Sequence, residues 1–172
     1  INNEDYLTNF KVDMIVNNNQ IKNLVLSSQF STKEDLKLSI KTNSNNERIT
    51  DLFAGNAKPL VKKYDFIKGF EGGYLKLDSI EKNKVSNSNL KIFDFKLKEV
   101  PALTKLLTLA SLQGIADLLT GEGIRFNEFE MIFNNKDGLM TIEEIYSLGP
   151  SISILMDGYI QKDDLVSLRG TL

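Results

Sequence analysis

IRFNEFEMIFNNKDGLMTIEEI, residues 124–145, is the stretch whose reading decides the fold. Ile124 and Phe126 occupy one phase of a two-residue alternation, and Phe129, Met131 and Phe133 occupy the other. A period of two sends successive side chains to opposite faces of a β-strand. The change of phase near Asn127 and Glu128 predicts a β-bulge, where an extra residue re-aims the strand. Residues 135–138 predict a hairpin turn, and Asp137-Gly138 within them has the chemistry that such turns favour. Met140 and Ile142 then resume the alternation.

The same grammar extends in both directions. Towards the C-terminus, a turn around Gly149-Pro150 precedes Ile152, Ile154, Met156 and Ile160 on one face, with Gly158 between them. Residues 161–164 turn again, and Val166, Leu168 and Leu172 alternate. Towards the N-terminus, Phe10, Val12, Met14 and Val16 alternate with Lys11 and Asp13, and Asn17-Asn18-Asn19 is a turn of residues that tolerate left-handed backbone. Residues 20–30 read as a second strand, and Leu36, Leu38 and Ile40 mark a third. Residues 48–63 are compatible with a strand, a short helix or both. Residues 64–70 and 74–80 read as two strands around a Gly72-Gly73 hairpin, residues 81–89 as a polar loop, and Phe93, Phe95 and Leu97 as one face of a further strand. Short strands at regular spacing predict an antiparallel up-and-down meander.

Residues 101–120 break the pattern. Leu103, Leu106, Leu107 and Ala110 recur at helical spacing after Pro101, which suits a first helical turn. Ile115, Leu118 and Leu119 continue the apolar face beyond Gly114, a break point, and Gly121 fits a C-cap. The expectation is a mainly β fold: a curved, groove-like antiparallel sheet with one broken apolar helix at about 101–120. The chain reads as a single domain over 1–172, excised from a longer protein. Meanders over 1–99 and 122–172 flank the helical segment at 100–121.

Composition narrows the chemistry. The chain has 172 residues, 41% hydrophobic and 26% charged, which suits a folded domain with a core of its own. A net charge of −2 supplies no basic field for nucleic acid. With no histidine and no cysteine, a Ser-His-Asp or Cys-His nucleophile system is impossible within this chain, as are thiolate metal sites. Asp137-Gly138 imitates the middle of a calcium loop, but the first ligand position would fall on Phe133. The imitation around Gly158 places Leu155 at its third position. Glu128, Glu130, Glu143 and Glu144 are the carboxylates available for acid/base chemistry, yet on strands they belong to a solvated face. Neither catalytic nor metal-ligating residues are expected, nor a cofactor.

The run PALTKLLTLASLQGIADLL at 101–119, followed by Gly121-Glu122-Gly123-Ile124-Arg125-Phe126, Lys136-Asp137-Gly138, Gly149-Pro150 and Leu168-Arg169-Gly170-Thr171-Leu172, resembles the C-terminal region of AsmA-like proteins, in particular the YhdP-type branch. The resemblance covers about residues 100–172. It implies a late segment of a long periplasmic β-groove, in a parent anchored in the inner membrane of a Gram-negative bacterium. It further implies a part in moving phospholipid between inner and outer membrane and in outer-membrane integrity. Phospholipid acyl chains are then the expected partner, with envelope proteins the partners of an alternative, sealed scaffold module. Membrane contact would come through the parent's anchor. The groove-lining candidates are Phe93, Phe95, Leu97, Met140, Ile142, Ile152, Ile154, Met156, Val166 and Leu168. The groove-capping candidates are Leu103, Leu106, Leu107, Ile115, Leu118 and Leu119.

Overall fold

Short left-handed loops set the architecture. Asn18 and Asn19 (φ 49° and 57°), Asn83 and Lys84 (51° and 64°), and Asp137 and Gly138 (53° and 85°) each form the two-residue loop of a hairpin. These loops match the right-handed twist of the strands they join. The computed structural model describes residues 6–62, 68–99, 123–150, 152–161 and 165–171. Among them, ten strands form one antiparallel sheet in which every strand pairs with its neighbours in chain order. The strands are β1 (Leu7–Asn17), β2 (Gln20–Phe30), β3 (Asp35–Thr42), β4 (Arg48–Ala54), β5 (Lys68–Lys82), β6 (Val85–Glu99), β7 (Ile124–Lys136), β8 (Leu139–Leu148), β9 (Ser153–Ile160) and β10 (Val166–Thr171). β1 pairs only with β2 and β10 only with β9, so the sheet is open. The one helix among the described residues is a single turn, α1 (Lys58–Val61), started by Pro59 and packed against β5.

One sequence expectation is met as read, and several others need correction. Residues 48–63 contain both a strand, β4, and the turn α1. Gly72-Gly73 is not a hairpin: β5 runs straight through it in unbroken register with β6. Residues 81–89 are not a loop either, because the hairpin closes at Asn83-Lys84 and Ser86–Asn89 are paired on both sides. The phase change at Asn127 occurs without any register shift against β6. The bulge lies one strand further on, where Glu143 of β8 has no partner in β7. The helix expected at 101–120, with all six groove-capping candidates, lies outside the described residues.

The phase change has a common physical cause in three strands. Core side chains are Phe70 but then Leu75 and Leu77 in β5, Leu90 and Ile92 but then Phe95 and Leu97 in β6, and Ile124 and Phe126 but then Phe129 in β7. The switch falls on one row, where Gly72 and Gly73 (φ 70° and 76°) lie against Asp94 (φ 54°), with Asn127 beyond. Left-handed backbone on both β5 and β6 rotates the following side chains to the other face while the pairing register is kept. A Cβ on Gly73 would sit 2.9 Å from the Phe93 carbonyl oxygen and 2.9 Å from the Phe95 Cβ. Gly73→Ala should therefore lower stability by about 1–3 kcal/mol, combining left-handed strain with the clash. A urea midpoint measurement checks this.

Candidate apolar groove

Opposed residues of an antiparallel pair share a face, so the registers assign each face strand by strand. Leu26, Leu38, Leu52, Leu77, Leu90, Met131, Ile145 and Met156 stand opposite one another in sequence from β2 to β9. All eight are half-buried. The next row, towards α1, runs Ser28, Leu36, Ala54, Leu75, Ile92, Phe129, Ser147 and Ile154. It merges with a buried cluster at the α1 end of the sheet, where Phe95 stacks between Phe70 (5.1 Å) and Phe126 (5.2 Å) and Ile124 has no exposed surface. The face is thus graded, with a closed end at α1 and a half-open apolar strip beside it. Farther out, Thr50, Ser79 and Ser88 interrupt it, and the Ser79 and Ser88 hydroxyls satisfy each other at 2.8 Å. Apart from α1, contacts among the described residues run only between neighbouring strands.

The opposite face is built for water. Lys91 pairs with Glu130 at 3.0 Å, Lys37 with Asp35 at 2.9 Å, and Arg169 clamps Asp157 through both carboxylate oxygens. Exposed pairs of this kind add little stability, about 0–1 kcal/mol each, but they keep the face solvated. Phe53, Tyr74 and Phe93 form an aromatic strip on this face, with Tyr74 and Phe93 stacked at 4.9 Å and the Lys76 ammonium 6.0 Å from each of these two rings.

The groove-lining candidates separate accordingly. Phe95, Leu97, Ile152, Ile154 and Met156 belong to or pack on the core cluster of the apolar face. Ile142 is buried and Met140 half-buried on β8, outside that cluster. Phe93 is a correction: the left-handed Asp94 between it and Phe95 turns it to the solvated face. Val166 and Leu168 stand in register with Ile160 and Gly158, and through them with Met140 and Ile142, so they share the apolar face, exposed on the edge strand β10. Leu26, Leu38, Leu52, Leu77, Leu90, Met131 and Ile145 complete the half-buried row with Met156 and were not among the candidates. Laying the hairpins end to end in register would have found them.

Of the candidate carboxylates, Glu130 and Glu143 are held by neighbouring side chains. Glu130 accepts from the Asn89 amide at 2.7 Å and from Lys91, and both hold its pKa below the ordinary 4.5. Glu143 accepts from Asn134. Because the folded pKa of Glu130 is lowered, its stabilising contribution is complete above pH 4.5 and is lost as pH falls through the folded value. Glu130→Gln should flatten the fall of the urea midpoint between about pH 5 and pH 2. Among the described residues no group of three or more Asp or Glu is placed to hold a metal ion, and no helix is long and apolar enough to cross a membrane. Comparison with family models, curated protein sequences and solved structures finds no match to this chain.

Proposed function

We propose that the apolar face holds phospholipid acyl chains, and that the chain serves as a segment of an AsmA-like periplasmic conduit between the inner and outer membranes. The observation that carries this reading is the eight-residue row from Leu26 to Met156, apolar at every position and half-buried throughout. Seven inter-strand steps of about 4.8 Å make the strip about 34 Å long. An acyl chain spans half of a hydrocarbon layer about 30 Å thick, so the strip outruns a single chain. A lipid on it has somewhere to move. Each methylene taken from water contributes about 0.8 kcal/mol, without directional contacts that would fix it at one site. The solvated opposite face supports a one-sided groove, and the resemblance over residues 100–172 supports the envelope setting.

A second reading, a scaffold module with a sealed interior, draws support from the buried end around Phe95, Ile124 and Ile154. Photo-crosslinking separates the two. A benzophenone side chain at Leu52 or Met131 should capture phospholipid in cells expressing the protein, and one at Lys76 on the opposite face should not. Equal or absent labelling at all three positions favours the scaffold.

A further inference from the structure

β1 is an edge strand of eleven residues, exposed along its whole length. It carries Leu7, Phe10, Val12, Met14, Ile15 and Val16, each between 42% and 60% exposed. Among the described residues its outer edge has no partner, and an apolar edge is a template for another strand. Its sequence selects which one.

In a two-residue hairpin the residues flanking the loop form a hydrogen-bonded pair, which here is Asn17 with Gln20. By alternation Ile15, Asp13 and Lys11 also direct their amides to β2, while Val12 and Met14 direct theirs to the free edge. Two copies of β1 can therefore pair antiparallel about a two-fold axis at Val12, with Val12 hydrogen-bonded to Val12 of the second copy. β1 bulges at Asn9 (φ 52°), between Thr8 and Lys11, so the regular overlap about this axis runs from Phe10 to Met14. It sets Lys11 opposite Asp13 of the other copy, twice, at the closer, non-hydrogen-bonded positions. Neither residue has an ion-pair partner among the described residues. Moving the axis by one residue sets Lys11 against Lys11 or Asp13 against Asp13. On the other face Phe10 meets Met14 of the second copy. Val12 stands opposite Leu26, so it extends the apolar row into the partner sheet.

We propose that β1 is a self-complementary edge that joins two copies of this chain into one continuous sheet, with their apolar faces on the same side. The proposal does not depend on what that face binds. An interface of this symmetry is isologous and closes at the dimer.

Sedimentation equilibrium of the whole chain at low ionic strength is the test. A dimer is expected, and Lys11→Asp or Asp13→Lys alone should weaken it at least tenfold by opposing like charges twice. The combined Lys11→Asp, Asp13→Lys variant should recover the dimer, because it restores both pairs in the same register. The chain has no cysteine of its own. Val12→Cys should therefore oxidise to a covalent dimer, since hydrogen-bonded partners stand about 5.5 Å apart, within disulfide range. Met14→Cys, which faces Phe10 of the second copy, should not. A monomer at all concentrations, assembly beyond the dimer through β10, or failure of the double charge swap to recover pairing would overturn the proposal.

Discussion

Phe95→Ala is expected to lower the stability of this protein by about 3–5 kcal/mol, the usual range for truncating a buried aromatic. Phe95 is 5% exposed and stacks against Phe70 and Phe126. Its removal deletes two aromatic contacts at about 0.5–1.5 kcal/mol each, in addition to the lost burial. The cavity would open beside the row where three strands change phase, and the surrounding backbone is tied in register on both sides. Little collapse is available to fill it. Phe93→Ala, two residues away in sequence, should cost about 1 kcal/mol or less, because Phe93 stacks on Tyr74 at the solvated face. Urea denaturation of the pair reads the difference, and similar losses for both would contradict the placement of the two rings on opposite faces.

Leu52→Asp should reduce phospholipid uptake at least tenfold while leaving a folded protein. Leu52 lies in the half-buried row between Leu38 and Leu77. A carboxylate there can reach water, so the loss of apolar burial amounts to about 1–2 kcal/mol. The same carboxylate in the strip would break its apolar continuity and force acyl chains past a hydrated charge. Ile154→Asp should behave differently. Ile154 is 8% exposed within the core cluster, and an unpaired buried charge there should unfold the protein. Circular dichroism with a fluorescent-phospholipid binding assay on both variants separates loss of lining from loss of fold. Leu52→Asp binding lipid as well as wild type would place the lipid elsewhere.

The meander was legible because its punctuation is local. Asn18-Asn19 and Asp137-Gly138 announce left-handed turns in two residues, and alternation around them gives strand and face. The phase change was visible in Ile124, Phe126 and Phe129 but not explicable from β7 alone. Its cause is left-handed backbone at Gly72, Gly73 and Asp94, two neighbouring strands brought alongside by pairing. Gly72-Gly73 carries the chemistry of a hairpin turn and is used instead to rotate a strand, so a local rule misplaced it. Asp94 gave no signal of its own, and with it Phe93 was assigned to the wrong face. The lining row was hidden for a different reason. Each strand from β2 to β9 contributes one leucine, methionine or isoleucine to it, and only the registers show that these eight residues form a line. Alternation gave the face of Val166 and Leu168 but not their exposure, because it carries no information about which strands lie at the edges.

The most direct test of the groove is mass spectrometry of an organic extract of the purified protein, with an unrelated protein expressed and washed in parallel. The apolar row from Leu26 to Met156 predicts co-purified phospholipid at stoichiometric amounts, reduced at least tenfold in Leu52→Asp. Phospholipid no higher than in the control would contradict the groove and leave the face as the sealed interior of a scaffold.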